Sequence, residues 1–142
     1  MKRPVLVFWL LLCSALLPAC KKAATAPAVS VRYSGTQVAT LEPFVLALSL
    51  DPASGNVETL MAEVPTETPQ SRTIAPKKDR RVVVTAQFRN VYNTTPVPPG
   101  AVIQVEVLVG TAVRRTIRLD ASTPYSGGGF QESAVIMDYS DF

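Results

Sequence analysis

Cys20 is the residue best placed for chemistry in this chain of 142 amino acids. It sits where an apolar run ends, directly after Leu17-Pro18-Ala19 and directly before Lys21-Lys22. Cys13, the other cysteine, follows the bulky Leu12 instead of a small residue. Histidine is absent, which removes the commonest general base, the commonest transition-metal ligand and the usual pH switch. Other groupings offer less. Asp51, Ser54, Asn56 and Glu58 present oxygens at short spacing, but only two are carboxylates and Pro52 interrupts them. Calcium wants six or more oxygens from a shaped loop, so no metal site is expected. Gly127-Gly128-Gly129 lacks the strand-to-helix context and the following Lys-Ser/Thr of a phosphate cradle, and reads as a loop. Lys77, Lys78, Arg80 and Arg81 are the densest basic cluster, read as a solvated turn that could also meet anionic headgroups. The eleven acids are scattered, and no nucleophile or cofactor motif is present. The chain is therefore expected not to be an enzyme and to carry no cofactor.

The elements around Cys20 set its context. Lys2 and Arg3 form a positive start, and an apolar run extends from Val5 to Leu17. A membrane-spanning helix needs about 20 apolar residues, so a cleaved signal fits better than a permanent span. Leu17-Pro18-Ala19-Cys20 resembles the lipobox of bacterial lipoproteins, with an aliphatic residue three before the cysteine and a small one just before it. Pro18 departs from the small or hydroxyl residue usual at the middle position. The resemblance implies that the Cys20 sulfur takes a diacylglyceryl group, that residues 1–19 are removed, and that the new amine takes a third, palmitate-like acyl chain. Burial is worth roughly 0.8 kcal/mol per CH₂, and two or more chains hold stably where one is marginal. Lipoproteins similar to this one but with aspartate after the cysteine tend to stay in the inner membrane. Lys21 therefore implies an outer-membrane anchor facing the periplasm. Plain secretion with a chance cysteine and an uncleaved anchor are the alternatives.

Residues 20–142 suffice for one domain with a core and are too few for two. The net charge is +3, and Lys2 and Arg3 supply two of the fourteen basic residues, so the remainder is nearly balanced. Such a balance gives nucleic-acid binding no support. Acylation of Cys20 would leave no thiol for a disulfide after cleavage. Residues 20–27 read as the lipidated cysteine and a tether of small and polar residues, able to stretch on the order of 25 Å at ~3.4 Å per residue.

Period-2 patterning fills residues 28–142. Val29, Val31 and Tyr33 alternate with Ser30, Arg32 and Ser34, and Gly35 is expected to end that strand. Phe44, Leu46, Leu48 and Leu50 share one face of a nearly all-apolar strand, expected to be central in its sheet. Val57, Leu60, Met61 and Val64 have helical spacing, yet a helix of eight residues has little stability of its own, so a strand is favoured. Val82, Val84, Ala86 and Phe88 face one way. In the hairpin, Ile103, Val105, Val107 and Val109 point inward, a three-residue loop Gly110-Thr111-Ala112 turns the chain, and Val113, Ile117 and Leu119 return inward. That register sets Glu106 opposite Thr116, with Arg114 and Arg118 on the diagonals. Short strands are expected at 71–75 and 134–139. Seven or eight strands with proline and glycine turns predict an all-β, antiparallel two-sheet sandwich, immunoglobulin-like, with a small barrel as the alternative.

Val31-Arg32-Tyr33-Ser34-Gly35, Val84-Thr85-Ala86-Gln87 and the segment Val105 to Tyr125 resemble, in compressed form, the soluble domain of MmpS-type small membrane proteins. The resemblance implies a sandwich beside an envelope membrane, acting as a transporter accessory, and assigns no catalytic residue. The long connection carrying Tyr92, Pro96, Pro98 and Pro99 is where a partner surface is expected first, because loops of that length are often functional. The expected role is a lipid-anchored interaction domain with an envelope protein as partner. A periplasmic module binding carbohydrate or lipid is the alternative.

Overall fold

The computed structural model describes residues 28–91, 96–126 and 131–142. Eight strands run in chain order: β1 Val29–Thr36, β2 Pro43–Leu50, β3 Val57–Glu63, β4 Gln70–Ile74, β5 Arg81–Phe88, β6 Val102–Val109, β7 Ala112–Asp120 and β8 Gln131–Met137. They form two four-stranded antiparallel sheets, ordered β4-β1-β6-β7 and β3-β2-β5-β8. The sheets stay open and pack face to face, so the architecture is the expected sandwich and not a closed barrel. Only the β2–β3 and β6–β7 links join neighbours in one sheet; the others cross between sheets.

Alternation builds the core. Val31 and Tyr33 of β1, with Ile103, Val105 and Val107 of β6, meet Val45 and Ala47 of β2 and Val82, Val84, Ala86 and Phe88 of β5, all buried. Tyr33 reaches the seam between the sheets. Arg72 of β4 donates a hydrogen bond to the Glu63 carboxylate of β3 at 2.9 Å beside it. Desolvation, and then the Glu63 charge, raise the Tyr33 pKa. Ser49 is fully buried on the same inner face, and its hydroxyl has no hydrogen-bond partner among the described residues.

Four local features differ from the sequence expectation. β1 runs through Gly35 to Thr36, because the Gly35 amide donates to the Thr66 carbonyl at 2.8 Å and keeps the strand tied down. The β6–β7 loop is a two-residue turn with Val109 opposite Ala112, and Gly110 supplies the left-handed φ of 61°. A register shift between Val107 and Leu108 turns Val113 outward, where it is 47% exposed. Glu106 does lie opposite Thr116, but its charge partner is Arg32 of β1 and not an arginine of β7.

The sandwich has two poles. At one, Ala28 accepts a hydrogen bond from Gly110, and the turns at 51–56 and 76–80 lie nearby. Arg115 of β7 and Asp141 after β8 approach to 3.9 Å there, which ties the two sheets together. At the other pole lie the connections 37–42 and 64–69, with residues 89–91 and 96–101.

Candidate functional site

The outer face of the β3-β2-β5-β8 sheet stands out. On β2 the small residues Val45, Ala47 and Ser49 point inward, while Phe44, Leu46, Leu48 and Leu50 point outward and remain only partly buried. Pairing extends this apolar row sideways. Leu46 lies between Ala62 and Thr85, Leu48 between Thr59 and Val83, and Leu50 between Val57 and Arg81. Val83 in turn pairs with Ile136, and Thr85 with Ala134. Val57, Val64 and Ile136 are 57%, 59% and 60% exposed. A contiguous apolar face of this kind is uncommon on a folded domain, whose exposed apolar residues are more often scattered singly.

A bulge makes that face possible. The register jumps from Ala47 opposite Met61 to Leu48 opposite Thr59, so Leu60 is the extra residue. The slip turns Val57 and Thr59 to the side already held by Ala62. It also accounts for the helix-like spacing of Val57, Leu60, Met61 and Val64: a strand that changes phase in mid-course imitates a period near 3.6.

Charge is confined to the rim. Arg81 pairs with Asp138 at 2.9 Å, Gln87 donates to Glu132 at 3.1 Å, and the Arg89 guanidinium lies 3.4 Å from the Phe44 ring centroid. That cation–π contact covers the Phe44 ring.

A groove of about 560 Å³ adjoins this surface at the pole away from Ala28. Gly35, Val38, Pro43, Val64 and Pro65 give it a mostly apolar lining, with Gln37 and Glu67 also present. Gly35 holds it open, since a Cβ there would lie 2.6 Å from a Val38 methyl. Among the described residues its lining includes no aromatic side chain. Val64, which lines the groove, directly follows the end of β3 and is exposed.

Pro96, Pro98 and Pro99 are exposed at the same pole, in a connection anchored by buried Val91 and Val97. They do not line the groove. Tyr92, the lipidation candidate Cys20 and the Gly127–Gly129 loop lie outside the described residues.

The remaining clusters resolve into local structure. Asp51 accepts hydrogen bonds from the Ser54 hydroxyl at 2.7 Å and from the amides of Ala53 and Ser54. These bonds, led by the hydroxyl, lower its pKa. Glu58 turns away from that loop to Lys77 and Arg80, and the Lys77 hydrogen bond and charge lower its pKa in turn. Three of the four basic residues at 77–81 thus have acidic partners, which weakens any net field there. Among the described residues no group of histidine, cysteine, aspartate or glutamate could hold a metal ion, and no helix is long and apolar enough to cross a membrane.

The sequence did carry a signal for the apolar face that went unread: β2 is apolar on both sides, as expected of a strand covered on both faces. No protein-family model, curated protein or solved structure matches this chain.

Proposed function

We propose that this protein is a lipid-anchored, non-enzymatic envelope lipoprotein whose sandwich is a protein-interaction domain. Docking through the outer face of β3-β2-β5-β8 is the reading the geometry supports best. One observation carries it: Leu46, Leu48, Leu50, Val57, Val83 and Ile136 form an uncharged surface one sheet wide. The anchor half of the proposal rests on the leader and Cys20 alone.

Two experiments test it. Radiolabelled palmitate is expected to enter the wild-type protein and not Cys20→Ser; label retained in that variant, or lost only with Cys13→Ser, overturns the anchor. Full-length protein purified from membranes is expected to bring down a protein partner that Leu48→Lys loses and Gln104→Lys keeps. Equal recovery with both variants overturns the docking face.

The groove favours a second reading, a periplasmic module for a carbohydrate or lipid. Its volume suits a small ligand. Among the described residues the lining has no aromatic platform of the kind that holds a sugar ring, and the reading is placed second to the first.

A further inference from the structure

We infer that the partner on this face is a second copy of the chain, packed sheet against sheet. The inference rests on the docking reading above and names its occupant. Three features support it.

The first is area. Four strands at ~4.8 Å spacing and about seven residues at ~3.3 Å rise give a face of roughly 19 by 23 Å. Two such faces in contact bury on the order of 900 Å², close to the ~1,000 Å² at which specific interfaces begin. The match is to a weak, reversible dimer.

The second is self-complementarity. A twofold interface brings each patch onto itself, so a central charge would meet its own image. Leu46, Leu48 and Val83 put none there. At the rim Arg81 is already neutralised by Asp138, and Arg89 lies over Phe44.

The third is height. Only residues 21–27 separate Cys20 from Ala28, and Ala28 lies at one pole with β1 running away from it. Anchored copies therefore hold this sheet at the same level, with its outer face turned sideways toward a neighbour on an equal tether. Confinement to one membrane raises the effective concentration, so a weak contact suffices.

The test uses the full-length acylated protein alone in vesicles of phosphatidylethanolamine and phosphatidylglycerol. A photoreactive benzoylphenylalanine replaces Ile136, which is 60% exposed. Illumination is expected to give an adduct of twice the chain's mass, reduced at least tenfold when Leu48→Lys is added. The same probe in place of Gln104, on the opposite sheet, is expected to give none. Should thermal melting show Leu48→Lys unfolded, Leu48→Thr supplies the comparison, since threonine suits a strand. Monomer alone from position 136, or equal dimer from both positions, overturns the inference. In native membranes, an adduct from position 136 to a protein of different mass and none to itself overturns self-pairing while leaving the docking face in place. No adduct of any kind overturns both.

Discussion

The two sheets agree on the inside and disagree on the outside. Both turn valine, isoleucine and alanine toward the shared core. On the outer side of β4-β1-β6-β7, Arg32 and Ser34 lie opposite Glu106 and Gln104, while Ser30 lies opposite Leu108, which pairs in turn with the exposed Val113. Thr116 and Arg118 continue that polar surface, and Arg32 pairs with Glu106 while Arg118 pairs with Asp120 at 2.8 Å. On the outer side of β3-β2-β5-β8 leucine, valine and isoleucine predominate, interspersed with Thr59, Thr85 and alanines. Burial of the core constrains only every second residue of a strand. The other half is free to vary, and here the outer side of one sheet is mostly polar and that of the other mostly apolar.

Substitutions can break or sharpen that contrast. The largest effect belongs inside: Ile103→Ala is expected to cost about 3 kcal/mol in urea unfolding, as buried isoleucine truncations do. Leu48→Ala, on the outer face, is expected to cost well under half as much. An equal cost would mean the monomer already covers Leu48, and the contrast between the faces would collapse.

Ser49→Ala removes a buried hydroxyl without a described partner and is expected to stabilise by up to about 1 kcal/mol. A loss of similar size would show that the hydroxyl is satisfied. Charging the exposed Ile136 (Ile136→Lys) is expected to change monomer stability by no more than about 0.5 kcal/mol, as is Gln104→Lys. Only the former should abolish association. Arg32→Met breaks the Arg32–Glu106 pair on the polar side; with Arg32 about half exposed, a loss of no more than about 0.5 kcal/mol is expected, shrinking in high salt.

Acid should act least. Asp51, Glu58 and Asp120 have folded pKa values lowered mainly by hydrogen bonds from Ser54, Lys77 and Ser122. A lowered folded pKa gives stability that is present above the unfolded value and lost as pH falls through the folded one. Melting temperature should therefore fall slightly between about pH 5 and pH 3, since none of the three groups is buried. None of them lies on the apolar face, so dimer yield in vesicles should not follow that change.

Strict alternation made β5 and β6 legible in the sequence, down to which side faces the core. β2 showed its central place but not its orientation. Both of its sides are apolar, and the bulkier row of Phe44, Leu46, Leu48 and Leu50 turned outward because the opposing sheet leaves room only for Val45, Ala47 and Ser49. Bulges hid the phase of β3 and of early β7, since a pattern with a slipped residue has no single period. The groove was illegible: Gly35, Val38 and Pro65 meet only after strands distant in sequence have paired. Glu106 found Arg32 for the same reason, 74 residues away, where a local hairpin reading considers only the adjoining strand.

The interleaving of the strands bears on how the chain acquires its shape. One sheet draws on the first, fourth, sixth and seventh strands and the other on the second, third, fifth and eighth. Neither can be finished from an N-terminal fragment; the second waits for residues 131–137. Long loops must close before most pairings form, which places such topologies in the millisecond-to-second range of folding times. The β2–β3 hairpin can pair early, but the free edge of β5 must wait for residues 131–137, and it is over that interval that an open strand edge is most exposed to wrong partners.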